Sequence, residues 1–347
     1  MMIRIAHSLL LIASLWSAGC SSGATDLWDD YLSRLARLTD QPIPESEPIP
    51  LQRYPRSREL RQPVPELRTG LGRFISLGRC DMMALVSERN AILSRVQADS
   101  LRLDYELRFI HLGQQCLLSG ELDDHPDQAQ WLRDILASKQ GALPALLWNA
   151  SLASEEMAGL FNLASAAPRD GNVAGSQAAY RSLDGMRRLA QQLHDGQTPA
   201  NAGQLEGDIQ RLAGNRAGGE ILHGMALATD RLDRAASMLE AADTHRLCPH
   251  GRPGDQARYL NNVFDLVVIG KLQPWLSDLW RDTDQLSSSL LALREAQPLQ
   301  NAPLDTWLDA YFAGDDSLRQ QLGKSIRRHS QAWQSLLEAC DMAPARR

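Results

Sequence analysis

The chain has 347 residues, a formal net charge of −6, and 44% hydrophobic against 22% charged residues. That length suits one large helical domain or two smaller ones. With no basic excess to neutralise phosphates, nucleic acid is not an expected partner. Lysine is confined to Lys139, Lys271 and Lys324, and arginine carries most of the positive charge, which reads as coding bias and not as a phosphate site.

The start, Met1-Met2-Ile3-Arg4, carries one positive charge and precedes a mostly apolar run over residues 5–16. The run is far short of the roughly 20 residues needed to span a bilayer. A charged start, a short apolar middle and small residues at the end read as a secretory signal, residues 1–19. Leu15-Trp16-Ser17-Ala18-Gly19-Cys20 resembles a bacterial lipoprotein signal, with Ser17 standing where that pattern usually has Leu. The resemblance implies cleavage before Cys20 and lipid (palmitate) on its sulfur. Ser21 in second place implies, by resemblance to enterobacterial sorting rules, the outer membrane facing the periplasm. The alternative is an ordinary signal peptide with an incidental cysteine.

Setting Cys20 aside leaves Cys80, Cys116, Cys248 and Cys340. In an oxidising compartment four cysteines suggest two disulfides among three possible connectivities. Sequence position favours Cys80–Cys116 and Cys248–Cys340, and closing a loop of 30-odd residues contributes about 3–4 kcal/mol in the chain-entropy model. Free buried thiols are the alternative.

Residues 20–65 read as a lipid-anchored tether, a short helix and a proline-rich extended arm. Asp26 to Leu38 has Leu27, Tyr31, Leu35 and Leu38 at helical spacing, with Thr25 as N-cap. From Gln41 to Pro65, seven prolines preclude a regular helix. The arm is either a spacer that lifts the body off the membrane or a strap across it; Ile43, Ile49, Leu51 and Tyr54 are available to anchor a strap.

Residues 66–347 read as a helical domain. Leu67, Leu71 and Phe74 form a first stripe, and Met82 to Asn90 a short helix with Asp81 placed to cap it. Leu101, Tyr105, Phe109, Leu112 and Cys116 follow at steps of three and four. Pro126 and Pro144 each stand where a helix can begin, and Thr198-Pro199 marks another start. Ala179, Leu183, Met186, Ala190 and Leu193 form a further stripe.

The clearest periodicity is Ile221, Met225, Ala228, Leu232, Ala235, Leu239 and Ala242, then Leu272, Leu276, Leu279, Thr283, Leu286, Leu290 and Leu293. Each fills three heptads, and the breakers between them, Cys248-Pro249, Gly251 and Pro253-Gly254, predict a long antiparallel hairpin. Pro274 should kink the second helix or begin a new segment. Leu318, Leu322, Ile326, His329, Trp333, Leu336 and Cys340 form the last stripe, with Cys340 inward. No strand-like alternation stands out. The predicted fold is an all-α multi-helix bundle with long antiparallel helical hairpins, stapled by two disulfides.

Chemistry-bearing clusters are few. His245, Cys248 and His250 fall within six residues and have zinc-ligand character; a polar turn with an oxidised cysteine is the preferred reading, and no metal or cofactor is expected. Glu88-Arg89-Asn90 and Glu106 lie between the first two cysteines and form a possible polar site. A buried Arg89–Glu106 pair is the structural reading, and Glu88 or Glu106 as general acid or base the functional one. No familiar serine-hydrolase, zinc-hydrolase or phosphate-loop motif occurs. Trp275, Trp280, Trp307 and Trp333 crowd the C-terminal part, as core or as the lining of a ligand or partner groove.

Cys80-Asp81 with Glu88-Arg89-Asn90, Tyr105-Glu106 with Cys116, and Asn262-Val263-Phe264 leading to Gly270-Lys271-Leu272-Gln273-Pro274 resemble the proteobacterial lipoproteins grouped as domain of unknown function 3080. The resemblance covers nearly all of the chain after Cys20. It implies location and helical architecture only, and carries over no catalytic residue. The leading expectation is a non-enzymatic, lipid-anchored interaction or assembly factor with an envelope protein partner. The alternatives are an envelope enzyme using Glu88 and Glu106, and a carrier of an apolar ligand between the tryptophan-rich helices, which requires a sizeable apolar pocket.

Overall fold

The structure, a computed structural model, describes residues 23–65, 77–80, 82–90 and 98–342. The signal, Cys20, the stripe Leu67–Leu71–Phe74, the Asp81 cap and the side chains of Arg89 and Asn90 lie outside the described residues.

Every regular element among the described residues is helical. Helix α1 (Ala24–Thr39) buries Trp28, Tyr31, Leu32 and Leu35. Tyr31 and Leu35 are buried as the stripe predicts, while Leu27 and Leu38 stay half-buried and Trp28 and Leu32 beside them take the deeper places. The helix starts behind Gly23, not behind Thr25, because the Asp26 carboxylate accepts the Gly23 backbone N–H at 3.1 Å.

The proline-rich arm, with one helical turn α2 (Ser57–Leu60), lies across the body. Prolines and extended backbone leave carbonyls and amides without local partners, and side chains of the body supply them. Arg234 donates to the Pro44 carbonyl at 2.9 Å, Trp148 to that of Leu60 at 2.7 Å, and Asn149 bonds both backbone groups of Gln62 at 2.8 and 2.9 Å. Tyr54 is buried, stacks on Phe161 at 5.4 Å, meets Trp307 edge-on at 5.0 Å, and donates to the Leu152 carbonyl. Ile49 and Leu51 are half-buried and Ile43 is exposed.

Helix α3 (Met83–Asn90) precedes the hairpin of α4 (Asp99–Leu118) and α5 (Pro126–Ala150). The hairpin is antiparallel, with Gly113 against Leu136 and Glu106 against Lys139. A Cβ at Gly113 would stand 2.7 Å from a Leu136 methyl, so glycine sets how closely the two helices approach. Cys116 is joined to Cys80, with Cα atoms 5.3 Å apart. Leu101 is exposed, so the buried stripe of α4 begins one turn later than predicted. Pro126 opens α5, but Pro144 lies inside it and starts nothing. Its lost hydrogen bond is offset by burial of Leu143, Leu146, Leu147 and Trp148 around it.

Short α6 (Glu155–Leu160) leads to α7 (Ser176–His194) and α8 (Leu205–Leu212). The start predicted at Thr198-Pro199 falls instead at Leu205, because Asn201 and Gly203 (φ +58°) form a tight turn before it. Next come α9 (Ala217–Glu240), α10 (Thr244–Leu247) and α11 (Asp255–Val263). A π-helical segment, Phe264–Leu272, runs into α12 (Gln273–Glu295). Finally α13 (Ala302–Leu308) precedes α14 (Leu318–Ala339). Pro274 explains the π segment: it brings no amide to bond the Gly270 carbonyl and crowds it, and the helix widens so that the Gln273 N–H reaches back five residues to Val268.

Helices α9 and α12 run antiparallel, with Gly224 against Leu279. The most extensive partner of α9, however, is α14, and these two run parallel. Asp233 accepts from Ser325 at 2.9 Å, Glu240 pairs with Arg328 at 2.7 Å, and Cys248 beyond α9 is joined to Cys340 beyond α14. Helix α1 packs along α9 and α11, pairing Asp29 with Arg231 at 3.1 Å, and reaches α14 through the hydrogen bonds of Tyr31 to His329 and Trp333.

Candidate functional site

One stripe position on each of two neighbouring helices stays half-buried. Along α12 every residue of the predicted seam is buried except Leu276, and along α14 every one is buried except Ile326. Both line the same groove, of about 780 Å³. Its walls are Phe264, Val268 and Ile269 of the π segment, Leu276 and Trp280 of α12, and Ile326, Trp333 and Leu337 of α14.

The π segment is why the seam stays open here. Hydrogen bonds that reach back five residues instead of four widen the turn and put its apolar side chains out of step with the 3.6-residue stripes that face it. Only Val267 and Leu272 are buried; Leu266 is 69% exposed and Ile269 44%. A segment that is apolar on nearly all sides thus shows part of its apolar surface to solvent.

The floor is polar and closed. The Trp333 indole N–H donates to the Tyr31 hydroxyl at 2.8 Å, and that hydroxyl bonds His329 Nε2 at 2.6 Å. All three residues are buried. Desolvation pushes the His329 pKa down to about 4 and raises that of the Tyr31 phenol. His329 is therefore a neutral ring at pH 7. Gln273, Ser277, Arg327, Ser330, Gln334 and Glu338 stand around the apolar walls. Ser330 is tied to the Ile326 carbonyl at 2.9 Å. A largely apolar concavity with a few polar groups at its margin matches the general form of small-molecule sites, which span roughly 300–1,000 Å³.

The tryptophans divide between the two roles. Trp275 packs edge-on against Trp28 at 5.6 Å, and Trp307 sits in the aromatic cluster of Tyr54, Phe161 and Phe312. Trp280 and Trp333 border the groove.

The polar residues singled out near the first disulfide are not brought to one point. Glu88 is exposed and pairs with both terminal nitrogens of Arg108, at 3.3 and 3.2 Å. Glu106 is buried and pairs with Lys139, whose ammonium lies 4.4 Å from the Phe109 ring centroid. Residues 106 and 108 point to opposite sides of α4, so each carboxylate has its own cation. Cys248 is oxidised, His245 and His250 are exposed, and no cluster of metal-ligating residues occurs among the described residues.

Fold and groove define an all-helical, disulfide-stapled protein with an apolar cleft on its surface, in which no described helix is long and apolar enough to cross a membrane. The chain belongs to the family described as protein of unknown function DUF3080, which matches residues 28–344. No curated protein and no solved structure matches it.

Proposed function

We propose that the protein is a cell-envelope lipoprotein, held through Cys20 to the outer membrane and facing the periplasm, that binds an apolar ligand in the groove without transforming it. The observation that carries this reading is the groove itself: Leu276 and Ile326, apolar by pattern, pack against the core on one side and leave the other half of their surface to the groove. Covering the remaining half of such a side chain is worth about 1 kcal/mol each, which an apolar ligand recovers. The lipoprotein-like signal at Cys20 and the two disulfides support an oxidising envelope location.

The test uses the chain from Cys20 onward and the apolar dye N-phenylnaphthylamine. Saturable fluorescence enhancement, competed by a free fatty acid and abolished in a folded Val268→Trp variant, is expected. Equal binding to that variant counts against the groove. Fatty-acid labelling that survives Cys20→Ser counts against the anchor. A second reading, an assembly factor that docks an envelope protein on this face, is favoured by the exposure of Leu266. It predicts site-specific crosslinks from position 266 to one defined protein.

A further inference from the structure

We infer that the occupant of the groove is an acyl chain of a lipid in the very membrane that anchors the protein, taken up from the bilayer and not from solution. This rests on the groove and anchor readings above.

The first argument is reach. Cys20 precedes Gly23 by three residues, a span of at most about 11 Å. Trp28 lies about 6 Å along the axis from the first residue of α1. Its ring touches Trp275, in the first turn of α12, and one turn further Tyr31 bonds His329 on the groove floor. The chain path from Cys20 to Trp28 is therefore at most about 20 Å, counting residues before α1 at no more than 3.6 Å each and helical ones at 1.5 Å, and Trp275, which Trp28 touches, is next in sequence to the groove-lining Leu276. The proline-rich arm adds nothing to this distance, because it follows α1 and is bonded to the body from Pro44 to Gln62.

The second argument is continuity. Ile269 lines the groove and is also exposed, and Leu266 is more exposed still, so apolar surface runs from the groove over its lip. A ligand arriving through water needs no such lip. An acyl chain leaving a bilayer is covered along its path by one.

The experiment uses lipidated protein in vesicles of phosphatidylethanolamine and phosphatidylglycerol, the latter doped with molecules bearing a diazirine on the acyl chain. After irradiation, crosslinks are expected on Phe264, Leu276 and Ile326. They should fall several-fold in Val268→Trp and in Ile269→Trp, the second being a change at an exposed lip position that leaves the core alone. Cys20→Ser protein added to the same vesicles should crosslink several-fold less while still binding N-phenylnaphthylamine. Crosslinks confined to Leu266 mean surface contact only and overturn the inference. Undiminished crosslinking by Cys20→Ser overturns it as well. Dye and fatty-acid binding without any crosslink from vesicles overturns it and leaves the groove reading standing. Failure to bind dye at all overturns both.

Discussion

Tyr31 and His329, 298 positions apart in the chain, share a 2.6 Å hydrogen bond on the floor of the groove. An indole N–H only donates, so the Tyr31 oxygen accepts from Trp333. The phenol keeps one proton and a second lone pair, so its bond to His329 Nε2 runs in the direction set by the tautomer of the ring. Tyr31→Phe removes the middle of this chain and leaves the Trp333 N–H and the His329 Nε2 buried without their partner. A loss of about 1–3 kcal/mol in urea unfolding is expected. A midpoint unchanged from the parent protein contradicts the arrangement.

The same histidine sets a pH dependence. Its folded pKa, about 4, lies below the usual 6.5, so between those values the unfolded chain binds the proton and the folded one does not. Stability from this site is fully present above pH 6.5 and is lost as pH falls toward 4, by about 3 kcal/mol at 1.36 kcal/mol per pK unit. In His329→Gln that component should be absent. The difference between the two stability curves isolates it from carboxylates that titrate in the same range. Parallel curves from pH 7 to pH 4 would exclude it.

The Cys248–Cys340 disulfide closes a separation of 92 residues and ties the ends of the parallel pair α9 and α14. Replacing both cysteines with alanine should cost about 2–5 kcal/mol. The Cys80–Cys116 bond spans 36 residues, and chain entropy makes its removal about 0.8 kcal/mol less costly. Chemical unfolding of the two double variants checks the order. A larger loss from the shorter loop refutes the chain-entropy account.

Tyr54 fixes the proline-rich arm to the body through Phe161, Trp307 and the Leu152 carbonyl. Tyr54→Ala is expected to cost about 3–5 kcal/mol, as for other large aromatic truncations. It should also open the arm to protease between Gln41 and Pro65 before the helices are cut. An arm no more sensitive than in the parent chain shows that Tyr54 is not its anchor.

The stripes were legible because helical burial repeats at a period the sequence can display. Ile221, Met225, Ala228, Leu232, Ala235 and Leu239 are buried as their spacing predicts, and Ala242, past the end of the helix, is half-buried. Partner choice was less so: α12 is antiparallel to α9, but α14, far along the chain, is its chief neighbour. No local pattern distinguishes one leucine-rich stripe from another as a mate. In α1 the stripe held at Tyr31 and Leu35 but missed Trp28 and Leu32, because Leu27 and Trp28 are adjacent and either can head a helical stripe. The groove was invisible in detail. Its cause is a five-residue hydrogen-bond repeat before Pro274, and a single proline does not reveal whether a helix kinks, stops or widens. Four tryptophans hinted at a lining, yet nothing in their spacing separated Trp280 and Trp333 from the core pair Trp275 and Trp307.

Binding in the groove is tested most directly by intrinsic fluorescence, because Trp280 is half-buried and borders it. Titration with a brominated fatty acid should quench the parent protein saturably. A substantial part of that quenching should vanish in Trp280→Phe and persist in Trp307→Phe, whose side chain lies in the Tyr54 cluster. Quenching that is absent, or that is unchanged by Trp280→Phe, would contradict an apolar ligand in this groove.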